Sequence, residues 1–152
     1  EKLKTVSSEI GSDYVEADVS KFNQVEKAVA QVVEKYGRFD CLINCAGIWA
    51  QGKITDNSPQ EIEELLDVNT QGTIFLCKAV IPQMEKQGGG EIVNIISQDG
   101  LTVKKDRALY HASKWAITGF TKCLQKDLSE KNIKVTGVYP GLMKTTFFEK
   151  KA

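Results

Sequence analysis

At 152 residues the chain has room for a single domain with a real hydrophobic core. Apolar residues make up 41% and charged residues 26%, and the formal net charge is zero, so charge gives no argument for nucleic acid or an anionic membrane as partner. No apolar run approaches the length of a membrane span, and the opening EKLKTVSSEI does not read as a signal peptide. The cysteines Cys41, Cys45, Cys77 and Cys123 lack zinc-type CxxC spacing. Cys41 and Cys45 fall on one predicted strand, roughly 13 Å apart, too far to bridge. They read as reduced thiols of a cytoplasmic protein.

In chain order, 14–19 (YVEADV) reads as a short strand, and Ser20 as the N-cap of a helix. Phe22, Val25, Val29, Val32, Val33 and Tyr36 share one helical face, and Gly37 closes that helix. The run 40–45 (DCLINC) is a near-continuous apolar strand, the pattern expected when both faces are covered, and it ends in Ala46-Gly47. After a loop over 48–57, Ser58-Pro59-Gln60-Glu61 forms a capping box with proline at the first helical position. The helix carries Ile62, Leu65 and Leu66, passes Asn69, resumes through Leu76, Ala79 and Val80, and stops at Gly88-Gly89-Gly90. An apolar run, Ile92 to Ile96, then delivers Ser97 to its end. A second long helix is predicted over 107–131, with Ala112, Ala116, Phe120, Cys123, Leu124 and Leu128 as its apolar positions. A last strand, 133–139, stops at Pro140-Gly141. The βαβαβαβ order predicts an α/β layer fold with parallel strands, right-handed crossovers and helices on both faces. Ligands of such folds bind at the carboxyl ends of the strands, where Asp18, 44–47, Ser97 and Pro140-Gly141 fall.

Tyr110 and Lys114 lie four residues apart on the second long helix, hence on one face, one turn apart. With Ser97 they bring a phenol, an ammonium and a hydroxyl to one place. Singly, each is ordinary: Tyr-xxx-Lys is more often a surface pair, and a serine after a strand is usually a cap. In combination with Asp18-Val19, Asn44-Cys45-Ala46-Gly47, Asn69, the IVNIIS segment, Tyr110-His-Ala-Ser-Lys114, and Pro140-Gly141 with Thr145, the chain resembles the short-chain dehydrogenase/reductase family over essentially its whole length.

That resemblance implies a Rossmann-like three-layer domain and an NAD(P)-dependent oxidoreductase that interconverts an alcohol and a ketone or aldehyde, with NAD or NADP as cofactor. It implies catalytic roles for Asn69, Ser97, Tyr110 and Lys114. Tyr110 would be the acid/base, Lys114 would favour phenolate and hold the nicotinamide ribose, and Ser97 would bond the substrate oxygen. Asn69 would hold a water linking Lys114 to solvent. Asp18 and Val19 would contact the adenine, Asn44, Cys45, Ala46 and Gly47 would pass under the cofactor, and Pro140, Gly141, Met143 and Thr145 would flank the nicotinamide. No metal is implied, and the partners would be a small carbonyl or alcohol substrate and further copies of the chain, as a homodimer or homotetramer.

Two departures from the family pattern stand out. Cys45 replaces the commoner second asparagine of its turn, and the 152 residues contain no TGxxxGxG segment, the loop that seats a pyrophosphate at a helix N-terminus. The strand at 14–19 would therefore correspond to the family's third. The rival reading is a truncated, non-catalytic remnant serving as an interaction domain. His111 reads as a helix-surface or pocket-wall residue, Trp49 and Gln98 as either pocket lining or packing, and 104–107 (KKDR) as a solvated loop.

Overall fold

The computed structural model describes residues 2–145 and 147. In chain order the elements are α1 (Lys2–Ile10), α2 (Phe22–Tyr36), β1 (Cys41–Asn44), α3 (Pro59–Leu66), α4 (Gly72–Lys86), β2 (Gly90–Ile95), α5 (Ala108–Asp127) and β3 (Ile133–Val138). The strands form one parallel sheet in the order β1-β2-β3, with Leu42 beside Ile92 and Ile92 beside Val135. This is an α/β, Rossmann-like parallel sheet flanked by helices. The parallel register brings the carboxyl ends of all three strands to one rim, where Asn44, Ser97 and Pro140 emerge.

The core lies on the sheet face defined by Leu42, Ile92 and Val135. Val29 from α2, Cys77, Val80 and Met84 from α4, and Leu124 and Leu128 beyond it pack onto that face. On the opposite face of β1, Cys41 is exposed and Ile43 is 61% exposed. Among the described residues the apolar character of β1 is thus matched by cover on one side only.

The segment 14–19 is not a strand. Its backbone joins no ladder and most of its side chains are exposed, because no described strand lies alongside to take up its N–H and C=O groups. Its end is held locally instead. Gln24 Oε1 accepts a bond from the Asp18 N–H at 2.9 Å, and Asp18 Oδ1 accepts from both the N–H and the hydroxyl of Ser20. Ser20 is therefore not the cap of α2; Lys21 occupies that position without a side-chain bond. At the other end Gly37 takes a left-handed φ of 75° and donates to the Val33 carbonyl, the expected glycine stop. Helix α1, absent from the sequence reading, has no buried residue.

The capping box before α3 forms as its pattern requires. The Glu61 N–H donates to Ser58 Oγ at 3.2 Å, and the Ser58 N–H donates to the Glu61 carboxylate at 2.7 Å. Between α3 and α4 the helix widens into a π-turn over Asp67–Gln71. Such insertions turn a side chain out of its ordinary face, and here Asn69 becomes 1% exposed. Gly72 follows because a Cβ there would sit 2.7 Å from Cγ2 of Val19.

Helix α5 departs from its expected face. Ala112, Ala116 and Cys123 are exposed, while the buried stripe runs through Leu109, Tyr110, Ser113, Lys114, Ile117, Thr118, Thr121 and Leu124. The polar members of that stripe are buried because they are bonded. Ser113 donates to the Tyr110 carbonyl, Thr118 to the carbonyls of Gly100 and Lys114, and Thr121 accepts from Asn94.

The short 3₁₀ turn Gln98–Gly100, just after Ser97, packs directly on α5. A Cβ on Gly100 would lie 2.7 Å from Thr118 Oγ1 and 2.9 Å from the Lys114 carbonyl oxygen, so a backbone has to move to admit it. Gly100→Ala is expected to destabilise the fold by about 1–3 kcal/mol. Chemical denaturation of the two proteins checks this, and an unchanged midpoint would show that the turn does not approach α5 this closely.

Candidate active site

The buried stripe of α5 and the exits of β1 and β2 enclose one cluster of groups. Tyr110 is 4% exposed and Lys114 6%. The Lys114 ammonium lies 5.6 Å from the Tyr110 ring centroid. The Ser97 hydroxyl, delivered by β2, faces the Tyr110 side chain and draws its phenol equilibrium down. It also accepts the Asp99 N–H at 3.1 Å. Ser97 and Gln98 are tied to the next strand exit through the Gln98 N–H, which donates to the Pro140 carbonyl at 3.0 Å.

Asn69 is the second anchor. Its Oδ1 accepts the Ile48 N–H at 2.7 Å, and its Nδ2 donates to the Ile48 carbonyl at 3.0 Å and to Ser113 Oγ at 3.2 Å. One side chain thus ties the loop after β1 to α5. Gly47 sits in that loop with so little room that a Cβ would meet Asn69 Oδ1 at 3.3 Å and Lys114 Nζ at 3.9 Å.

Burial dominates the proton equilibria. Desolvation pushes the Tyr110 phenol up to about 12, with the Ser97 hydroxyl pulling against it. Desolvation pushes the Lys114 ammonium down to about 8, with Cys45 acting in the other direction.

The remaining predicted site residues are more dispersed. Asn44 is buried and works inside the fold. Its Nδ2 donates to Asn94 Oδ1 at 2.8 Å and lies 3.4 Å from Cys77 Sγ, while Asn94 donates to Thr121 at 2.9 Å. Cys45 and Ala46 are exposed at the strand exit. Asp18 and Val19 lie at the entry to α2, with Val19 against Gly72 of α4. Gly141 faces the Gln98 side chain, close enough that a Cβ would be 3.3 Å from its amide. Met143 and Thr145 are exposed, and Thr145 Oγ1 accepts the Phe147 N–H at 3.3 Å.

Four further residues complete the site. Trp49 meets the Tyr110 ring edge-on at a centroid separation of 4.4 Å, and the Arg107 guanidinium lies 5.0 Å from the Trp49 ring. Phe147 packs with Ile48, Trp49, Leu65 and Tyr110. Asp99 is buried and pairs with Lys104 and Arg107, so the 104–107 run is not a freely solvated loop. His111 is a buried wall residue rather than a surface one. Position after a strand end was the signal for Trp49, and it pointed to Gln98 rather than to its neighbour Asp99. Arg107 and Phe147 carried none.

The rim fits a dinucleotide's nicotinamide half on one observation. Lys114 has three donor protons in a buried position, and among the described residues its hydrogen bond is a long one, 3.5 Å to the Ile95 carbonyl. Donors so placed suit ribose hydroxyls.

Comparison with known proteins agrees with this geometry. The family model for short chain dehydrogenase matches residues 1–152. An uncharacterized oxidoreductase of Staphylococcus haemolyticus is 33% identical over 153 residues, covering 99% of this chain and 66% of that protein. An uncharacterized oxidoreductase of Staphylococcus aureus is 34% identical over 148 residues, covering 95% and 64%. The structure of ElxO with NADP bound superposes with a TM-score of 0.90 at 32% identity, covering 99% of this chain and 63% of that one. A short-chain dehydrogenase from Streptomyces avermitilis also gives 0.90, at 29% identity and 99% and 56% coverage. The chain belongs to the short-chain dehydrogenase family and spans about two thirds of the length of the curated relatives it matches. Among the described residues no helix is long and apolar enough to cross a membrane.

The displaced lysine equilibrium makes a stability prediction. Between about pH 8 and the ordinary lysine value of 10.5, the unfolded chain holds a proton at Lys114 that the folded chain has released, so stability rises with pH across that window. Lys114→Met removes the contribution. The wild type is expected to gain at least about 1 kcal/mol on the variant between pH 8 and 10 by denaturant titration. Parallel profiles would mean that Lys114 is not desolvated.

Proposed function

We propose that this chain carries the catalytic centre of an NAD(P)-dependent oxidoreductase that interconverts an alcohol and a ketone or aldehyde. The observation that supports it best is the convergence of the Ser97 hydroxyl, the Tyr110 phenol and the Lys114 ammonium at the carboxyl rim of a parallel sheet. The nicotinamide cofactor, when bound, supplies or accepts the hydride. Asp18 and Val19 would take the adenine end, the 44–47 turn (Asn44, Cys45, Ala46, Gly47) would pass beneath the dinucleotide, and Pro140, Gly141, Met143 and Thr145 would flank the nicotinamide. Lys114 would hold the ribose with the donors left over from the Ile95 carbonyl.

The chemistry of the chain's own groups follows from their protonation. Tyr110, raised by burial, is a phenol at neutral pH and is therefore poised to donate. Ser97 would bond the substrate oxygen as negative charge develops on it. The Tyr110 proton then passes to that oxygen, completing an alcohol. In the reverse direction Tyr110 takes the proton, and the Lys114 charge stabilises the phenolate. Asn69, which pins Ile48 to α5, would support the water linking Lys114 to solvent.

Tyr110→Phe keeps the ring against Trp49 and removes the transferable proton. Loss of about 10²- to 10⁴-fold in turnover is expected, followed as NAD(P)H consumption on a panel of ketones and aldehydes with the complete protein. Near-normal turnover of the variant would overturn the assignment.

The same reading includes a homodimer or homotetramer. Ala112, Trp115, Ala116, Gly119 and Cys123 form an exposed stripe of mostly small residues along α5, away from the buried one. Helices bearing small residues approach closely, and the face would pair with its copy across a two-fold axis. Light scattering at micromolar concentration is expected to give a dimer or tetramer mass that Trp115→Glu reduces. A monomer in the wild type would remove this part of the reading.

A further inference from the structure

The buried ion cluster at Asp99 takes no part in the steps above, yet it touches the site from two sides. Asp99 is 4% exposed. Lys104 Nζ lies 3.0 Å from its Oδ1, Arg107 Nη1 3.3 Å from its Oδ2, and His111 Nε2 3.8 Å from Oδ2. His111 Nδ1 is 2.8 Å from the Thr102 carbonyl, which can only accept, so that nitrogen carries a proton. His111 Nε2, also buried, makes no hydrogen bond.

On one side, Arg107 is shared. Its guanidinium pairs with Asp99 while lying 5.0 Å from the Trp49 ring, and Trp49 in turn meets Tyr110 edge-on at 4.4 Å. A planar guanidinium can pair and stack at once, which a lysine ammonium cannot reproduce. On the other side, the Asp99 N–H donates to Ser97 Oγ at 3.1 Å, and Ser97 faces the Tyr110 side chain. The carboxylate is thus joined to Tyr110 through Arg107 and Trp49, and its own backbone reaches the second hydroxyl.

We propose that Asp99 is a positioning residue: by anchoring Arg107 it holds Trp49 against the Tyr110 ring while its N–H orients Ser97, so that the two hydroxyls converge on one substrate oxygen. This rests on the reading of Tyr110 as the proton donor. The charges that face Tyr110 are Asp99 from the turn after β2, Arg107 at the start of α5, and Lys114 one turn along it. Those that face Asp99 are Lys104 and Arg107, with His111 beside it. Burial works to raise the Asp99 carboxyl, but Lys104, His111 and Arg107 outweigh it and hold the group below its ordinary value. Asp99 therefore stays ionised through neutral pH and opposes ionisation of Tyr110, whereas Arg107 favours it.

The test uses the complete protein carrying Asp99→Asn, Asp99→Glu or Arg107→Lys, with Tyr110→Phe as reference. The 152 residues hold two tryptophans, Trp49 and Trp115, so Trp49 emission is read as the difference between each protein and its Trp49→Phe counterpart. Asp99→Asn and Arg107→Lys are expected to lower kcat by about 10- to 100-fold with KM for NAD(P)H little changed. Both should alter Trp49 emission, and Asp99→Glu should restore part of the rate. Asp99→Asn should also move the basic limb of the pH–rate profile for carbonyl reduction to lower pH, because the charge opposing Tyr110 ionisation is gone. If Asp99→Asn fails to fold, Arg107→Lys, which keeps a cation beside Asp99, carries the test. Unchanged kcat and Trp49 emission in Arg107→Lys, with Tyr110→Phe inactive, would overturn the positioning role alone. So would a rate loss that merely follows the folded fraction while Trp49 emission stays constant. Full turnover by Tyr110→Phe would instead overturn the parent reading, and this proposal with it.

Discussion

Placing an ammonium and a phenol inside the protein is the constraint on which the rest of this structure depends. A buried lysine without a partner is among the costlier groups a fold can hold. Among the described residues Lys114 has a 3.5 Å bond to the Ile95 carbonyl and the Tyr110 ring 5.6 Å away to offset that cost, and burial moves its equilibrium down to about 8. Several local features make the burial possible. Gly100 lets backbone approach α5 where a side chain would collide, and the π-turn directs Asn69 inward to tie the loop after β1 to Ser113. The site is thus assembled around α5 from three separate strand exits, and none of the three would hold its place without that helix.

The same economy runs through the polar interior. Asn44, Asn94 and Thr121 form a bonded chain from β1 across β2 to α5, directly beneath the strand exits. A buried polar chain of this kind is stable only in one register, since a slip would leave amides unpaired in an apolar layer. It therefore locks the relative heights of β1 and β2, which is what brings the Gly47 turn and Ser97 to the same level. Surface pairs such as Arg38–Asp40 and Lys134–Glu91 are more exposed and screened, and contribute little by comparison.

How far the sequence could be read follows from the range of the forces involved. The α2 stop at Gly37, the Ser58 capping box and the Tyr110–Lys114 pair depend on neighbours within four residues, and all were legible. Parallel pairing was legible because helices separate the strands. The segment 14–19 was misread because its alternation suits a strand, but a strand exists only by pairing, and no partner lies beside it in the described chain. The α5 face was misread for a different reason. Ala112, Ala116 and Cys123 look more apolar than Ser113, Thr118 and Thr121, yet the hydroxyls are inside because the fold supplies their hydrogen bonds. The KKDR loop looked solvated because the carboxylate that organises it is five to eight residues earlier in the chain, beyond any local pattern.

The two displaced equilibria bear on how the proposed chemistry runs. Tyr110 at about 12 and Lys114 at about 8 move in opposite directions, and both are driven by the same loss of water. At neutral pH the resting pair is phenol and ammonium. In that state the site can give up a proton without prior rearrangement, and the phenolate left behind has its ring centroid 5.6 Å from a cation in a poorly solvated pocket, where the attraction is stronger than in water. Above about pH 8 the ammonium is lost and so is that stabilisation, while the phenol remains protonated. On the proposed reading the useful charge resides on Lys114 and the transferable proton on Tyr110, and burial, which makes each group reluctant to ionise, would also strengthen the interaction by which the lysine sustains the tyrosine once its proton has gone.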